Sequence, residues 1–127
     1  LRGLMQSHPD YEHAYNALGY SWAERNVRLP EAKALIEKAV ALAPQDGYIL
    51  DSLGWVEFRL GNHAQALVHL QRAFELKADA EIAAHWGEVL WVTGEREQAL
   101  AVWRKGLGIN AENTTLRSTL ERFKAQP

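Results

Sequence analysis

The sequence predicts an all-α fold, a solenoid of antiparallel helix pairs closed by one C-terminal helix. The first observation is a repeat of about 34 residues, because segments 17–44, 52–78 and 85–111 align with one another. Small residues recur at three matched places: Gly19, Gly54 and Gly87, then Ala32, Ala66 and Ala99, then Ala39, Ala73 and Gly106. The second observation is that apolar residues recur at helical spacing within each segment. Two helices that cross closely at the small residues explain both observations.

The first unit is predicted over residues 10–46. Pro30 stands where a helix tolerates proline in its first turn, and Pro44 ends the second helix of the unit. Residues 1–9 resemble the end of a truncated preceding repeat, because a proline again follows a short apolar stretch. The chain begins with Leu1 rather than Met, so we expect it to be part of a longer protein.

The second unit is predicted over residues 47–79. Its first helix is predicted over Gly47–Leu60, because Gly61 interrupts the apolar pattern in the way that a C-terminal glycine does. Asn62 followed by Gln65 resembles a capping box, which would open the second helix of the unit.

The third unit is predicted over residues 80–112. Its helices are predicted over Ala80–Val92 and over Glu95–Gly108, with Gly94 between them. Glu57, in the second unit, falls where the first helix normally presents an apolar side chain to the second. We therefore expect Glu57 to have a buried partner or to be partly exposed.

Residues 113–127 are predicted as a capping helix and tail. Asn113 can cap a helix over Thr114–Lys124. One side of this helix is apolar, with Leu116, Leu120 and Phe123, and the other side, expected to face water, carries Arg117, Glu121, Arg122 and Lys124. A helix of this form covers the open face of a terminal repeat.

Composition limits the classes of function. Hydrophobic residues make up 47% of the chain and charged residues 24%, which is typical of a globular protein. The net charge is −2, from 14 basic and 16 acidic residues, which argues against nucleic acid as a partner. No apolar run approaches the roughly 20 residues that span a bilayer, so direct membrane insertion of this segment is not expected.

The sequence contains no recognisable catalytic or metal-binding motif. The absence of cysteine excludes disulfides, thiolate chemistry and cysteine-ligated metals. His85 and Glu88 lie close together on a predicted helix, but they supply at most two ligands, whereas catalytic zinc has three protein ligands. There is no HExxH, GxSxG or glycine-rich phosphate loop. We therefore predict no enzyme, no metal and no cofactor.

A helix-turn-helix unit of this length, with glycine, alanine and proline at these places, resembles the tetratricopeptide repeat (TPR). The resemblance covers residues 9–111 and the capping helix. It implies a right-handed superhelix with a concave groove, and a module that binds proteins or peptides. Gly106 stands where the family usually has alanine, and Ala78 and Ala111 replace a closing proline, which implies looser junctions.

Segments 15–44, 47–67 and 80–107 also resemble the C-terminal region of bacterial TPR lipoproteins that are anchored in the outer membrane. Some members of that group are adaptors that bring substrates to a periplasmic C-terminal processing protease. This narrower resemblance implies a bacterial source and a periplasmic location, with an outer-membrane tether in the full-length protein. A cytoplasmic location is the alternative.

The family match also implies which residues face the groove. One stripe of the first helix in each unit lines it, and the predicted partner-binding residues are Asn16, Tyr20, Asp51, Trp55, Phe58, Arg59, Glu88 and Trp91. Trp55 and Trp91 are the candidate anchors, since large aromatic side chains often carry interface energy, although packing against neighbouring helices remains the alternative. Three other tryptophans, Trp22, Trp86 and Trp103, are predicted to pack between helices. Lysine is absent from the groove and Arg59 is its one clear cation, so the stripe departs from the clamp with which chaperone-binding members hold a C-terminal carboxylate.

The predicted function is a non-catalytic interaction module that binds a peptide or partner protein in an aromatic-lined concave groove, in the role of an adaptor. The alternative is a structural scaffold or self-association segment with no peptide ligand. Leu1, Leu4 and Met5 would form an apolar patch at the truncated end, which favours self-association. An apolar, aromatic groove would favour peptide capture, and a smooth, polar groove would favour scaffolding.

Overall fold

Seven α-helices make up the part of the chain that the structure, a computed structural model, describes: residues 11–127. They are α1 (Tyr11–Glu24), α2 (Leu29–Leu42), α3 (Gly47–Arg59), α4 (His63–Leu76), α5 (Ala80–Val92), α6 (Arg96–Ile109) and α7 (Thr114–Phe123). Residues 1–9, the expected end of a preceding repeat, lie outside the described residues. Within 11–127, no helix is both long enough and apolar enough to cross a membrane.

The helices pack as consecutive pairs. The most extensive contacts join α1 to α2, α3 to α4, and α5 to α6. The first helices of the pairs also contact one another in series, α1 with α3 and α3 with α5. Helix α7 continues this series, because it packs mainly on α5 and less on α6. The predicted all-α solenoid with a capping helix is therefore confirmed, and α7 takes the place of the next first helix.

The matched small residues lie where the two helices of a pair cross. A Cβ built on Gly54 would lie 2.6 Å from Leu70 Cγ and 3.2 Å from the carbonyl oxygen of Ala66. Gly19 is in the same position in the first pair, where a Cβ would lie 2.9 Å from the carbonyl oxygen of Ala32. A larger side chain at either glycine would push the two backbones apart.

The helix ends follow the sequence signals at three places. Gly61 and Gly94 have φ of 92° and 95°, a left-handed conformation that suits glycine after a helix. Asn113 caps α7, since its side-chain oxygen accepts a hydrogen bond from Leu116 N at 2.9 Å.

The predicted capping box at α4 is wrong. Asn62 is the N-cap residue, but its side chain makes no capping hydrogen bond. Its amide nitrogen instead donates to Glu57 Oε1 at 2.8 Å. Lys33 Nζ lies 3.3 Å from the other oxygen of Glu57, so this buried carboxylate has the partner that we expected. The demand of a buried charge for partners explains why the Asn62 side chain turns away from the helix end.

The core forms two clusters of buried side chains. The first lies between the first two pairs and reaches α5, with Ile36, Val56, Leu70 and Ile82 fully buried. The second lies beneath α7, where Trp103 and Leu116 are fully buried. Trp22 and Trp86 are only partly buried, each packed against the first cluster. Trp103 therefore fills the space between helices as predicted.

Candidate functional site

The first helices of the pairs and α7 enclose a cleft of about 550 Å³, called here the large cleft. Its lining from α1, α3 and α5 is Glu24, Trp55, Arg59, His85 and Glu88. Its lining from α7 is Thr114, Thr115, Ser118, Thr119 and Arg122. The cleft is thus lined mainly by hydroxyl, carboxylate and guanidinium groups, with Trp55 as its one large aromatic side chain.

A second cleft of about 190 Å³, the small cleft, lies between the same first helices. It is lined by Asn16, Ala17, Tyr20, Tyr48, Asp51, Ser52 and Glu81. Asn16 Oδ1 is buried there and has no hydrogen-bond partner among the described residues. The small cleft therefore offers an acceptor, two phenol rings and two carboxyl groups.

A buried ion pair joins residues of the two clefts. His85 Nδ1 on α5 lies 2.9 Å and 3.0 Å from the two carboxylate oxygens of Asp51 on α3. Both side chains are almost fully buried, at 3% and 6% exposed. Burial alone would lower the pKa of His85, but the Asp51 carboxylate, by its charge and its hydrogen bond, raises that pKa above its ordinary value. We infer that His85 is the charged partner of Asp51 near neutral pH.

Two aromatic side chains hold the His85 ring in place. The hydroxyl oxygen of Tyr20 on α1 lies 3.3 Å from His85 Nε2. The rings of Trp55 and His85 stack, with 4.3 Å between their centroids. Burial, followed by the nearby carboxylates of Glu24 and Asp51, raises the pKa of Tyr20, so the hydroxyl keeps its proton. The His85 ring therefore ties α5 to both α1 and α3.

Trp55 forms the floor of the large cleft. Trp55 is only 3% exposed, and its indole N–H donates a hydrogen bond to Glu24 Oε1 at 3.0 Å. The guanidinium carbon of Arg59 lies 5.0 Å from the Trp55 ring centroid. Arg59 therefore covers the face of a tryptophan whose own polar atom already has a partner.

Helix α7 is attached to α5 by two sets of polar contacts. At one end, Thr115 Oγ1 donates to Glu81 at 2.8 Å and Asn113 Nδ2 donates to the same carboxylate at 3.3 Å. At the other end, Arg122 donates to the two oxygens of Glu88, at 2.7 Å and 3.3 Å. Arg122 faces water as predicted, with its side chain 53% exposed, and it also binds the buried carboxylate of Glu88.

The structure divides the predicted binding residues into three groups. Trp55, Arg59 and Glu88 line the large cleft, and Asn16, Tyr20 and Asp51 line the small one. Phe58 and Trp91 line neither of them. Asp51 and Glu88 are both buried and both have a cationic partner within the protein.

The two remaining aromatic residues have packing roles. Phe58 packs on Trp55 and His63, with ring centroids 5.1 Å and 5.2 Å away. Trp91 lies between Trp103, at 5.4 Å, and Phe123 of α7, at 6.0 Å. These contacts favour the packing alternative for Trp91 over the role of an open groove anchor.

His85 and the side chains that α7 contributes were not predicted from the sequence as parts of the site. The repeat spacing could have found both. Residues 34 positions after Glu81, Ala84 and Glu88 are Thr115, Ser118 and Arg122, and all three line the large cleft. His85 likewise lies 34 positions after Asp51, its ion-pair partner. The stripe that faces the groove therefore continues from the third unit into α7.

The arrangement suits hydrogen bonding and charge recognition. Among residues 11–127, no group of three or more histidine, aspartate or glutamate side chains could hold a metal ion. The large cleft offers guanidinium and hydroxyl donors together with carboxylate acceptors, which can pair with the backbone and polar side chains of another chain.

The sequence of the chain is similar to that of a known repeat protein. No protein-family model matches the chain. Over 88 residues, 69% of its length, the chain is 47% identical to a TPR repeat-containing protein of Pseudomonas aeruginosa. The match covers only 15% of that relative.

Solved structures are similar over nearly the whole chain. The crystal structure of MamA matches with a TM-score of 0.71 and 20% identity, over 97% of this chain and 74% of that one. A thermophilic TPR protein of Thermus thermophilus matches with a TM-score of 0.78 and 22% identity, over 98% and 70%. The first TPR of Spaghetti, bound to an HSP90 peptide, matches with a TM-score of 0.74 and 15% identity, over 93% and 97%. These likenesses show that the chain has the tetratricopeptide-repeat fold.

Proposed function

We propose that the chain is a non-catalytic interaction module that binds an extended segment of a partner protein in the large cleft. The observation that carries this proposal is a cleft of about 550 Å³ whose walls come from α1, α3, α5 and α7. Its size lies in the range of roughly 300–1,000 Å³ that is usual for binding pockets. The relatives support the proposal, because one solved structure of this fold has a peptide bound.

The lining indicates how such a segment is held. Trp55 is buried and its indole N–H is already bound to Glu24, so it offers little new apolar area. Thr114 and Ser118 on α7 are exposed in the cleft wall. We expect hydrogen bonds and charge pairs to the partner to carry the specificity, in place of the two tryptophan anchors that the sequence suggested.

Blocking the cleft tests the proposal. Ser118→Trp places a large side chain in the cleft wall at an exposed position, and it should abolish partner recovery while leaving the helical circular dichroism unchanged. Ser21→Trp is the matched control, because Ser21 is exposed on α1 outside both clefts. The readout is quantitative recovery of proteins from a bacterial periplasmic extract on immobilised wild type and variants. Equal recovery by wild type and Ser118→Trp would contradict binding in this cleft.

A finer proposal concerns the biological role. We propose that the module is part of a periplasmic adaptor, tethered to the outer membrane in the full-length protein, that presents partners to a C-terminal processing protease. The resemblance to such lipoproteins supports this role, and the similarity to a TPR repeat-containing protein of Pseudomonas aeruginosa supports a bacterial source. Fractionation of cells that express the full-length protein tests the location, and recovery in the cytoplasmic fraction would contradict it.

A structural scaffold is the second candidate. It is favoured by the packing roles of Phe58 and Trp91, which leave the groove less aromatic than expected. Leu18 and Val27 are also exposed, at 47% and 42%, which suits contact with another chain. Sedimentation across a range of concentrations separates the two candidates, because self-association that persists in Ser118→Trp would favour the scaffold.

A further inference from the structure

The charged residues of the predicted site differ in whether they already have an oppositely charged partner within the protein. Asp51 binds His85, and Glu88 binds Arg122. Within residues 11–127, Arg59 has no carboxylate partner; its one hydrogen bond, from Nη2 to the backbone oxygen of Glu24, is 3.5 Å long. Its Nε is buried and has no partner among these residues. Within the described residues no carboxylate compensates the charge of Arg59, which makes Arg59 the charged group of the large cleft that gains most from an acidic ligand.

The Arg59 side chain is also held ready for a ligand. Its guanidinium lies over the Trp55 ring, 5.0 Å from the centroid, and Trp55 is fixed by its bond to Glu24 and its stacking on His85. Little side-chain freedom is therefore lost when a partner binds. The planar fork of a guanidinium matches a carboxylate with two parallel hydrogen bonds.

The other charges of the large cleft do not compete strongly for this position. Arg122 and Glu88 bind each other, and Glu24 accepts the indole N–H of Trp55. The lining holds two guanidinium groups and two carboxylates, and the charge of His85 is compensated by Asp51, so net charge does not determine the ligand. The ion pairs within the protein determine it instead, because among the cations of the lining they leave Arg59 without a carboxylate partner.

We propose that Arg59 is the specificity-determining residue of the large cleft and binds the side-chain carboxylate of an aspartate or glutamate within the partner's extended segment. This inference rests on the proposed binding function and names the chemistry of its partner. An internal side chain is favoured over a C-terminal carboxylate, because chain ends are captured by several converging donors, whereas this lining has one guanidinium without a carboxylate.

Parallel selection from a phage-displayed library of random 12-residue peptides, fused at their C-terminal ends, tests the proposal. The targets are wild type, Arg59→Met, Arg59→Lys and Arg104→Met. Methionine keeps an apolar stem over Trp55, and Arg104 is an exposed arginine of α6 outside the large cleft, which makes it the matched control. Wild type and Arg104→Met should enrich peptides with an aspartate or glutamate at one fixed position, and Arg59→Met should not.

A selected peptide, synthesised with an amidated C-terminus, then gives the size of the effect. Arg59→Met should weaken its binding at least about tenfold, since hydrogen bonds to charged groups are worth this much. Arg59→Lys should lose less affinity for the peptide than Arg59→Met, and Arg104→Met should bind the peptide as wild type does. Enrichment of acidic peptides that persists in Arg59→Met would overturn the assignment of Arg59. Selection of peptides without an acidic residue by wild type would also overturn it, and so would binding that requires a free C-terminus of the peptide. If wild type enriches no peptide at all, the proposed function itself fails.

Discussion

The imidazole of His85 and the carboxylate of Asp51 form a buried ion pair, 2.9 Å long, that joins two first helices of the solenoid. Tyr20 adds a third helix to this contact. Removal of one member of a buried pair leaves the other charge without compensation, which is more costly than loss of a surface pair. The pair therefore fixes the spacing of the helices that line both clefts.

The stability contributed by His85 should depend on pH. A histidine whose folded pKa is raised above its unfolded value of about 6.5 adds stability that is complete below that value and is lost as pH rises through the folded pKa. We expect the difference in unfolding free energy between wild type and Asp51→Asn, measured with urea, to be larger at about pH 6 than at about pH 8.5, because this variant leaves His85 buried without the carboxylate that raises its pKa. Glu97→Gln, at an exposed carboxylate of α6, is the control. A difference that grows towards high pH would disprove the charged pair.

Gly54→Leu should destabilise the fold by at least the usual ~1–3 kcal/mol of core overpacking, because Leu70 and the Ala66 backbone already occupy the space. Gly108→Ala is the matched control, since a Cβ there meets nothing within 4 Å and alanine favours a helix. Thermal melts should show a lower Tm for the first variant and an unchanged or higher Tm for the second. Equal melts would contradict the close crossing of α3 and α4.

Trp103→Ala should cost about 3–5 kcal/mol, because this fully buried side chain supports both Trp91 and Phe123. Trp91→Ala should also destabilise the protein, though less, since Trp91 is only partly buried beneath α7. Chemical denaturation of both variants measures the two costs. A Trp91→Ala variant as stable as wild type would restore Trp91 as a free groove residue and contradict the packing described above.

The helices and their crossings could be predicted from the sequence because they depend on local signals. Glycine at a helix end and small residues at matched places leave few alternatives, and α5 begins and ends at the predicted residues. The Asn62 side chain was mispredicted because a buried carboxylate, Glu57, lies five positions before it and competes for its amide.

The site was harder to predict because a helical stripe does not determine what covers it. Trp91 lies on the predicted stripe, but α7 folds over it and brings Phe123 into contact. Asp51 likewise lies on the stripe, but His85, at the matching position of the next unit, binds its carboxylate and compensates its charge. Which groove residue stays available for a partner depends on these contacts between units, and no single unit reveals them.

The most direct test of binding in the large cleft is the nitrogen-15 NMR signal of the Trp55 indole N–H during titration with a selected peptide. This N–H lies in the cleft, bound to Glu24, whereas Trp22 and Trp86 lie outside both clefts and serve as internal references. We expect the Trp55 signal to shift until the cleft is saturated with peptide, while the signals of Trp22 and Trp86 stay in place. Ser118→Trp should remove this response. Binding of the peptide with an unchanged Trp55 signal would contradict binding in the large cleft.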